Sequence, residues 1–137
     1  MAHVLFLCLH NAGRSQMSRA LFDTAAGPRH TSECAGTLAD PAGELHPEVL
    51  AVMKEIGIDL ADRRPQVLTF ELASRADVIV TMGCGDSCPY IPGKRYVDWD
   101  LADPKGQPIE VVRATRDDIA ARVAVLIEEL EQPAAAG

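Results

Sequence analysis

The chain of 137 residues predicts an α/β protein, an open sheet of parallel strands with helices on both faces. Three observations carry this. Short apolar runs of strand length alternate with segments of helical periodicity, the junctions hold Gly, Asn and Pro, and no internal repeat or linker interrupts the alternation. The run VLFLCL at residues 4–9 ends at Asn11 and Gly13, the pattern of a strand buried on both faces. Residues 15–24 then place Met17, Ala20, Leu21 and Thr24 at helical spacing, with Gly27 and Pro28 as the stop. A shorter strand signal at 30–34 ends at Gly36. Residues 47–56 put Val49, Leu50, Met53 and Ile56 on one helical face, and Gly57 takes the C-terminal stop position. Residues 77–82 (DVIVTM) form the clearest later strand and 95–99 the last, separated by a Gly- and Pro-rich loop at 83–93. An amphipathic helix at 109–130 closes the fold. At about 150 residues per domain, residues 1–132 are expected to form one domain and 133–137 a frayed tail.

Composition narrows the function. Hydrophobic residues are 47% and charged residues 24% of the chain, an ordinary globular balance. Thirteen basic against twenty acidic residues give a net charge of −7. With only 4% aromatics as well, that sign argues against a nucleic-acid or anionic-membrane surface. Any anion must therefore be held by a local site that works against the overall field. The longest apolar run, 4–9, is far short of the ~20 residues a membrane span needs. It also lacks the basic lead of a secretory signal. Cys8, Cys34, Cys84 and Cys88 are too few for a secreted disulfide scaffold. The expectation is a cytoplasmic protein whose reduced thiols do catalytic, redox or metal-binding work.

The stretch Cys8-Leu9-His10-Asn11-Ala12-Gly13-Arg14-Ser15 runs from a strand end into a helix start. Physically this is an anion cradle. Backbone N–H groups of a tight loop can converge, and the helix N-terminus adds a favourable dipole. Gly13 permits backbone torsions closed to other residues. Arg14 offers a planar fork of donors suited to a tetrahedral oxyanion. The same positive surroundings favour the thiolate of Cys8, which is the nucleophilic form. Ser15 can give that sulfur a hydroxyl hydrogen bond, and Asn11 can brace the loop or take a left-handed torsion. A bare C-x5-R would read as a buried strand cysteine before a helix cap. The preceding strand, the internal Gly, the Ser after Arg and the following helix turn that reading toward catalysis.

These residues resemble the low-molecular-weight protein tyrosine phosphatase family, and within it the arsenate reductase branch, whose loop is similar to His10-Asn11-Ala12-Gly13-Arg14-Ser15-Gln16-Met17. The resemblance continues through Cys34-Ala35-Gly36-Thr37, Gly57-Ile58-Asp59, Thr81-Met82-Gly83-Cys84 and Asp103-Pro104-Lys105-Gly106, nearly the whole chain. It implies a four-stranded parallel sheet of order 2-1-3-4. It also implies a general acid at Asp103, where the residues alone read as an Asp-Pro turn. Phosphatases of the family follow that pair with tyrosines, and Lys105-Gly106 stands there instead, which suits a phosphotyrosine ring poorly. Arg19 replaces a Glu that relatives place near an alkali cation, so no such site is expected.

Cys84 and Cys88 favour the reductase. A phosphatase needs one thiol, whereas reducing arsenate to arsenite takes two electrons, which a pair of cysteines supplies. The expected cycle has Cys8 attack arsenate, Cys84 and Cys88 pass the resulting disulfide outward, and thioredoxin regenerate the thiols. The two loop cysteines stand closer together than in thioredoxin-coupled relatives, leaving their order open. Cys34 occupies the place of a family Ser, either as a small buried residue or as an additional relay thiol. No cofactor or metal is implied, and a monomer suffices. The runner-up readings are a mycothiol-coupled reductase, a tyrosine phosphatase, and a zinc or arsenic sensor using the same thiols. Cys84-x3-Cys88 fits zinc spacing, but no second ligand pair follows. His3, His30 and His46 read as surface or turn residues.

Overall fold

The computed structural model describes residues 1–83 and 90–132. Its core is a four-stranded sheet of order β2-β1-β3-β4, formed by β1 (His3–Cys8), β2 (Thr31–Gly36), β3 (Val78–Thr81) and β4 (Arg95–Asp98). Every neighbouring pair is parallel, with Cys8 opposite Gly36 at the end of the β1–β2 ladder and Leu7 opposite Thr81. This is the order implied by the family resemblance.

Among the described residues four α-helices cover the sheet: α1 (Arg14–Ala26), α2 (Pro47–Lys54), α3 (Phe70–Arg75) and α4 (Ile109–Glu131). Alternation along β1 sorts them. Val4, Phe6 and Cys8 point into a core shared with Met17 and Phe22 of α1, Val49 and Met53 of α2, and Val112, Ile119 and Val123 of α4. Leu5 and Leu7 point the other way, against Leu72 and Ala73 of α3 and Ile79 of β3. Because both faces are covered, β1 is apolar throughout rather than alternating. Helix α3 falls in a stretch whose pattern had predicted no element. Six residues are too few to show a period, and Phe70 at its start is 77% exposed. Its one local signal is Thr69, whose side chain accepts a hydrogen bond from Leu72 N and so caps the helix.

The topology places the site. From β1 the chain crosses to β2 on one side and later to β3 on the other, so the strand order reverses at the carboxyl end of β1, where open α/β sheets bind ligands. Cys8 is the last residue of that strand.

Candidate active site

The cradle begins where β1 ends and closes where α1 starts at Arg14. Cys8 is buried at its floor. Its Sγ receives a hydrogen bond from the Asn11 backbone N–H at 3.3 Å and lies 2.9 Å from Ser15 Oγ. Asn11 Nδ2 donates to that same hydroxyl at 2.7 Å, which leaves the Ser15 proton free to point at the sulfur. Both donors therefore converge on the Cys8 sulfur at the floor of the loop.

Asn11 fixes the loop from its centre. Its φ of 55° makes it the sole non-glycine described residue in the left-handed region. Its Oδ1 accepts from Gln16 Nε2 at 3.0 Å and from Gln66 N at 2.8 Å. These donors set the amide orientation and leave Nδ2 to face Ser15. Gln16 Nε2 also lies 3.2 Å from the carbonyls of Asn11 and Arg64. Asn11 therefore plays both roles the sequence allowed it. Gly13, expected to supply unusual torsions, has φ −146° and ψ −87°, in neither the helical nor the extended region, and it serves by its lack of a side chain as well. A Cβ there would stand 2.9 Å from Pro104 Cγ and 3.2 Å from His46 Cδ2.

The other loop residues follow the chain. Leu9 O accepts from Leu38 N, Ala12 O from His46 N, and Gly13 O from Met17 N. His10 is exposed, with Nδ1 3.4 Å from Leu38 O. Arg14 is buried, yet its guanidinium reaches the mouth. Its Nη1 donates to Leu101 O at 3.1 Å, and Nη2 stands 4.0 Å from Asp103 Oδ2. A small cavity is lined by Cys8, Asn11, Gly13, Arg14, His46 and Asp103, with His10 and Ala12 completing it. The structure thus brings Cys8, Arg14 and Asp103 around one opening.

Cys34 shares the apolar core behind Cys8. Burial pushes its thiol above the ordinary range, opposed by hydrogen bonds from Asn11 and Arg19 and by the charges of Arg19 and Arg63. It pairs with Phe6, two residues from the Cys8–Gly36 pair. From strand spacings of about 4.8 Å across and 3.3 Å along, its Cα lies roughly 8 Å from that of Cys8. That separation is beyond the ~7 Å limit for a disulfide without backbone movement. Cys84 and Cys88 lie outside the described residues.

Three contributors to the site, His46, Gly36 and Gly83, escaped the sequence reading, and His30 was misplaced with His46. His46 is half-buried at the mouth rather than on an outer turn, and His30 is buried, accepting from Ala2 N at 3.0 Å through Nδ1. Gly36 lets β2 touch the cradle, since a Cβ there would meet Leu9 O and Asn11 N at 2.6 and 2.8 Å. Gly83, at φ 81°, leaves room for the Arg14 guanidinium. The sole linear signal among these was glycine itself.

A family model for the low molecular weight phosphotyrosine protein phosphatases matches residues 3–87. The chain belongs to this family. A putative arsenate reductase of Halobacterium salinarum is 39% identical over 127 residues, covering 90% of this chain and 89% of the relative. Among solved structures, the thioredoxin-dependent arsenate reductase Cg_ArsC1' of Corynebacterium glutamicum superposes with a TM-score of 0.78 at 39% identity. The match covers 96% of this family member but spans 63% of that protein. The YwlE arginine phosphatase of Geobacillus stearothermophilus superposes at 0.83 with 30% identity, over 96% and 94% of the two chains. The fold is thus shared between reductases and phosphatases of the family.

Proposed function

We propose that this protein reduces arsenate to arsenite with Cys8 as nucleophile and a disulfide relay through Cys84 and Cys88 that thioredoxin regenerates. One observation carries the reading: a buried strand-end thiol, hydrogen-bonded by Asn11 N and Ser15 Oγ, opens onto the same cavity as Arg14 and Asp103. The 39% identity to an arsenate reductase supports the choice of oxyanion.

In this reading arsenate sits in the loop formed by residues 9–15, with the Arg14 fork on its oxygens. The Cys8 thiolate bonds to arsenic, and Asp103 protonates the oxygen that departs as water. Cys84 then attacks Cys8 Sγ. An S–S bond forms as the As–S bond breaks, and its electron pair stays on arsenic, which leaves as arsenite. Cys88 attacks Cys84, freeing Cys8 as a thiol and leaving a Cys84–Cys88 disulfide. The dithiol of thioredoxin reduces that disulfide and is itself oxidised. Residues 1–132 act as one domain, in the cytoplasm, as a monomer.

The test is NADPH consumption on adding arsenate to the protein with thioredoxin and thioredoxin reductase. Arsenate-dependent turnover is expected, lost in Cys8→Ser and in Cys84→Ser. Turnover with mycothiol that survives replacement of both Cys84 and Cys88 would replace the relay with a small-thiol mechanism. A second reading, phosphate-ester hydrolysis, draws on the arginine phosphatase likeness. It is favoured if arsenate produces no turnover with any thiol donor while an aryl phosphate is hydrolysed.

A further inference from the structure

His46 has no role in the mechanism above, yet its position is more constrained than that of an ordinary turn residue. Its backbone N–H donates to Ala12 O of the cradle at 3.0 Å, while its carbonyl accepts from Val49 N and Leu50 N in the first turn of α2. The residue is therefore tied both to the anion loop and to a helix start. Its ring lies over Gly13, where Cδ2 would be 3.2 Å from an added Cβ, and it lines the cavity with Cys8, Arg14 and Asp103. The ring atom nearest that point is Cδ2, the carbon bonded to Nε2. Neither ring nitrogen has a hydrogen-bond partner among the described residues. A half-buried imidazole with unused nitrogens at the mouth of an anion cradle is a ligand awaiting its anion.

We propose that His46 is a direct ligand of the bound oxyanion, taking up a proton as the anion enters and setting the resulting imidazolium beside the outward-facing oxygens. The inference rests on the reading of this loop as an oxyanion site, and it adds a second cationic partner opposite Arg14.

The charges around the ring fit such a switch. Burial holds the empty site's imidazole below its ordinary range, helped by Lys105 and His10, while Asp103 and Glu48 pull the other way. These groups come from the segments packed at the mouth: His10 from the cradle, Glu48 from α2, and Asp103 and Lys105 from the loop after β4, with the Arg14 cation of α1 lining the same cavity. Glu48 Oε1 also accepts from Gly106 N at 3.2 Å, which ties that loop to α2. With the site empty, burial favours the neutral form of the ring. A dianion arriving within hydrogen-bond distance favours the charged form and draws the proton in. The imidazolium then shares the outer oxygens with Asp103, on the side where a substituent of a phosphate ester would have to leave. The arrangement favours a free oxyanion over an ester.

Sulfate is the probe, because its charge is constant across the range of about pH 5 to 8 in which histidine titrates. Calorimetric binding to the full chain, run in buffers of different ionisation enthalpy, reads proton uptake directly. The expected result is uptake accompanying sulfate binding in the wild type, with affinity rising about tenfold as pH falls through that range. In His46→Gln, which keeps an N–H but cannot titrate, the uptake and the rise are both lost. His46→Asn serves if the first variant does not fold. Binding without proton uptake in the wild type would overturn the proposal. So would uptake that persists in His46→Gln and disappears in His10→Gln. The assay needs no turnover, so a protein that shows His46-linked sulfate binding but never reduces arsenate would refute the proposed reaction and leave this inference standing.

Discussion

Replacing Gly36 with Ala places one methyl group between a strand and the cradle. The added Cβ would stand 2.6 Å from Leu9 O, 2.8 Å from Asn11 N and 2.9 Å from His10 C. All three are backbone atoms, so no side chain can swing aside. Ordinary contact at about 3.5 Å requires the loop to retreat by roughly 0.6–0.9 Å. Strand β2 cannot yield instead, because Gly36 N donates to Gln66 O, its carbonyl accepts from Leu68 N, and it sits in register with Cys8. The displacement therefore falls on the segment that carries Asn11 N to the Cys8 sulfur. Overpacking of this kind costs about 1–3 kcal/mol. For a chain of this size that is a Tm loss of roughly 3–15 °C. A misplacement approaching 1 Å at the reacting centre costs about 100-fold in turnover. Thermal unfolding and sulfate calorimetry on Gly36→Ala measure the two effects separately. A variant with unchanged Tm and sulfate affinity within about twofold of wild type, a difference under ~0.5 kcal/mol, would show that β2 does not support the cradle.

Gly83→Ala overlaps the Arg14 guanidinium and demands φ 81° of a residue with a side chain. We expect oxyanion affinity to fall about tenfold or more as the Arg14–Leu101 hydrogen bond breaks, and calorimetry would show whether it does. Cys34→Ser is expected to retain arsenate turnover, because serine is close in size to the buried thiol and Cys34 stands too far from Cys8 to bridge it. A loss beyond about tenfold in the coupled assay would return Cys34 to the relay. Glu33 gives a pH test. Burial pushes its carboxyl up, but hydrogen bonds from His3 and Arg75 outweigh that and hold it below the ordinary 4.5. With the folded value below the unfolded one, the stabilisation is full above that value and disappears as pH falls through the folded value. Acid unfolding monitored by circular dichroism should therefore show a weaker pH dependence below about pH 4.5 in Glu33→Gln than in the wild type, and identical curves would refute the assignment.

The sequence could show what is contiguous in it. Residues 8–15 carry thiol, glycine, guanidinium and hydroxyl in one segment, so the cradle and its place at a strand end were readable before any coordinates. So was the alternation of apolar runs that makes the sheet. Asp103 was different: its own residues say only that a turn is present, and the resemblance supplied its role. The structure puts its Oδ2 4.0 Å from Arg14. His46, Gly36 and Gly83 reach the site through chain reversals that no local pattern encodes. Helix α3 was missed for the opposite reason, since its signal is local but confined to one cap at Thr69.

The charge balance poses a further question, since a chain of net charge −7 is asked to hold a dianion. The pairing of its arginines answers it. Arg29 pairs with Glu131, Arg75 with Glu33, Arg95 with Glu129, Arg113 and Arg116 with Glu55, and Arg122 with Asp118. Those cations are committed at the surface and contribute little to the mouth. Arg14 is not: among the described residues its nearest carboxylate is 4.0 Å away, and its Nη1 rests on a neutral carbonyl. The donors at the cradle floor are a backbone N–H and a hydroxyl, which carry no net charge for distant carboxylates to cancel. At about 0.1 M salt, charges more than ~10 Å away are largely screened. The acidic excess therefore acts on the approach of the anion, while the contacts made after arrival decide how tightly it is held.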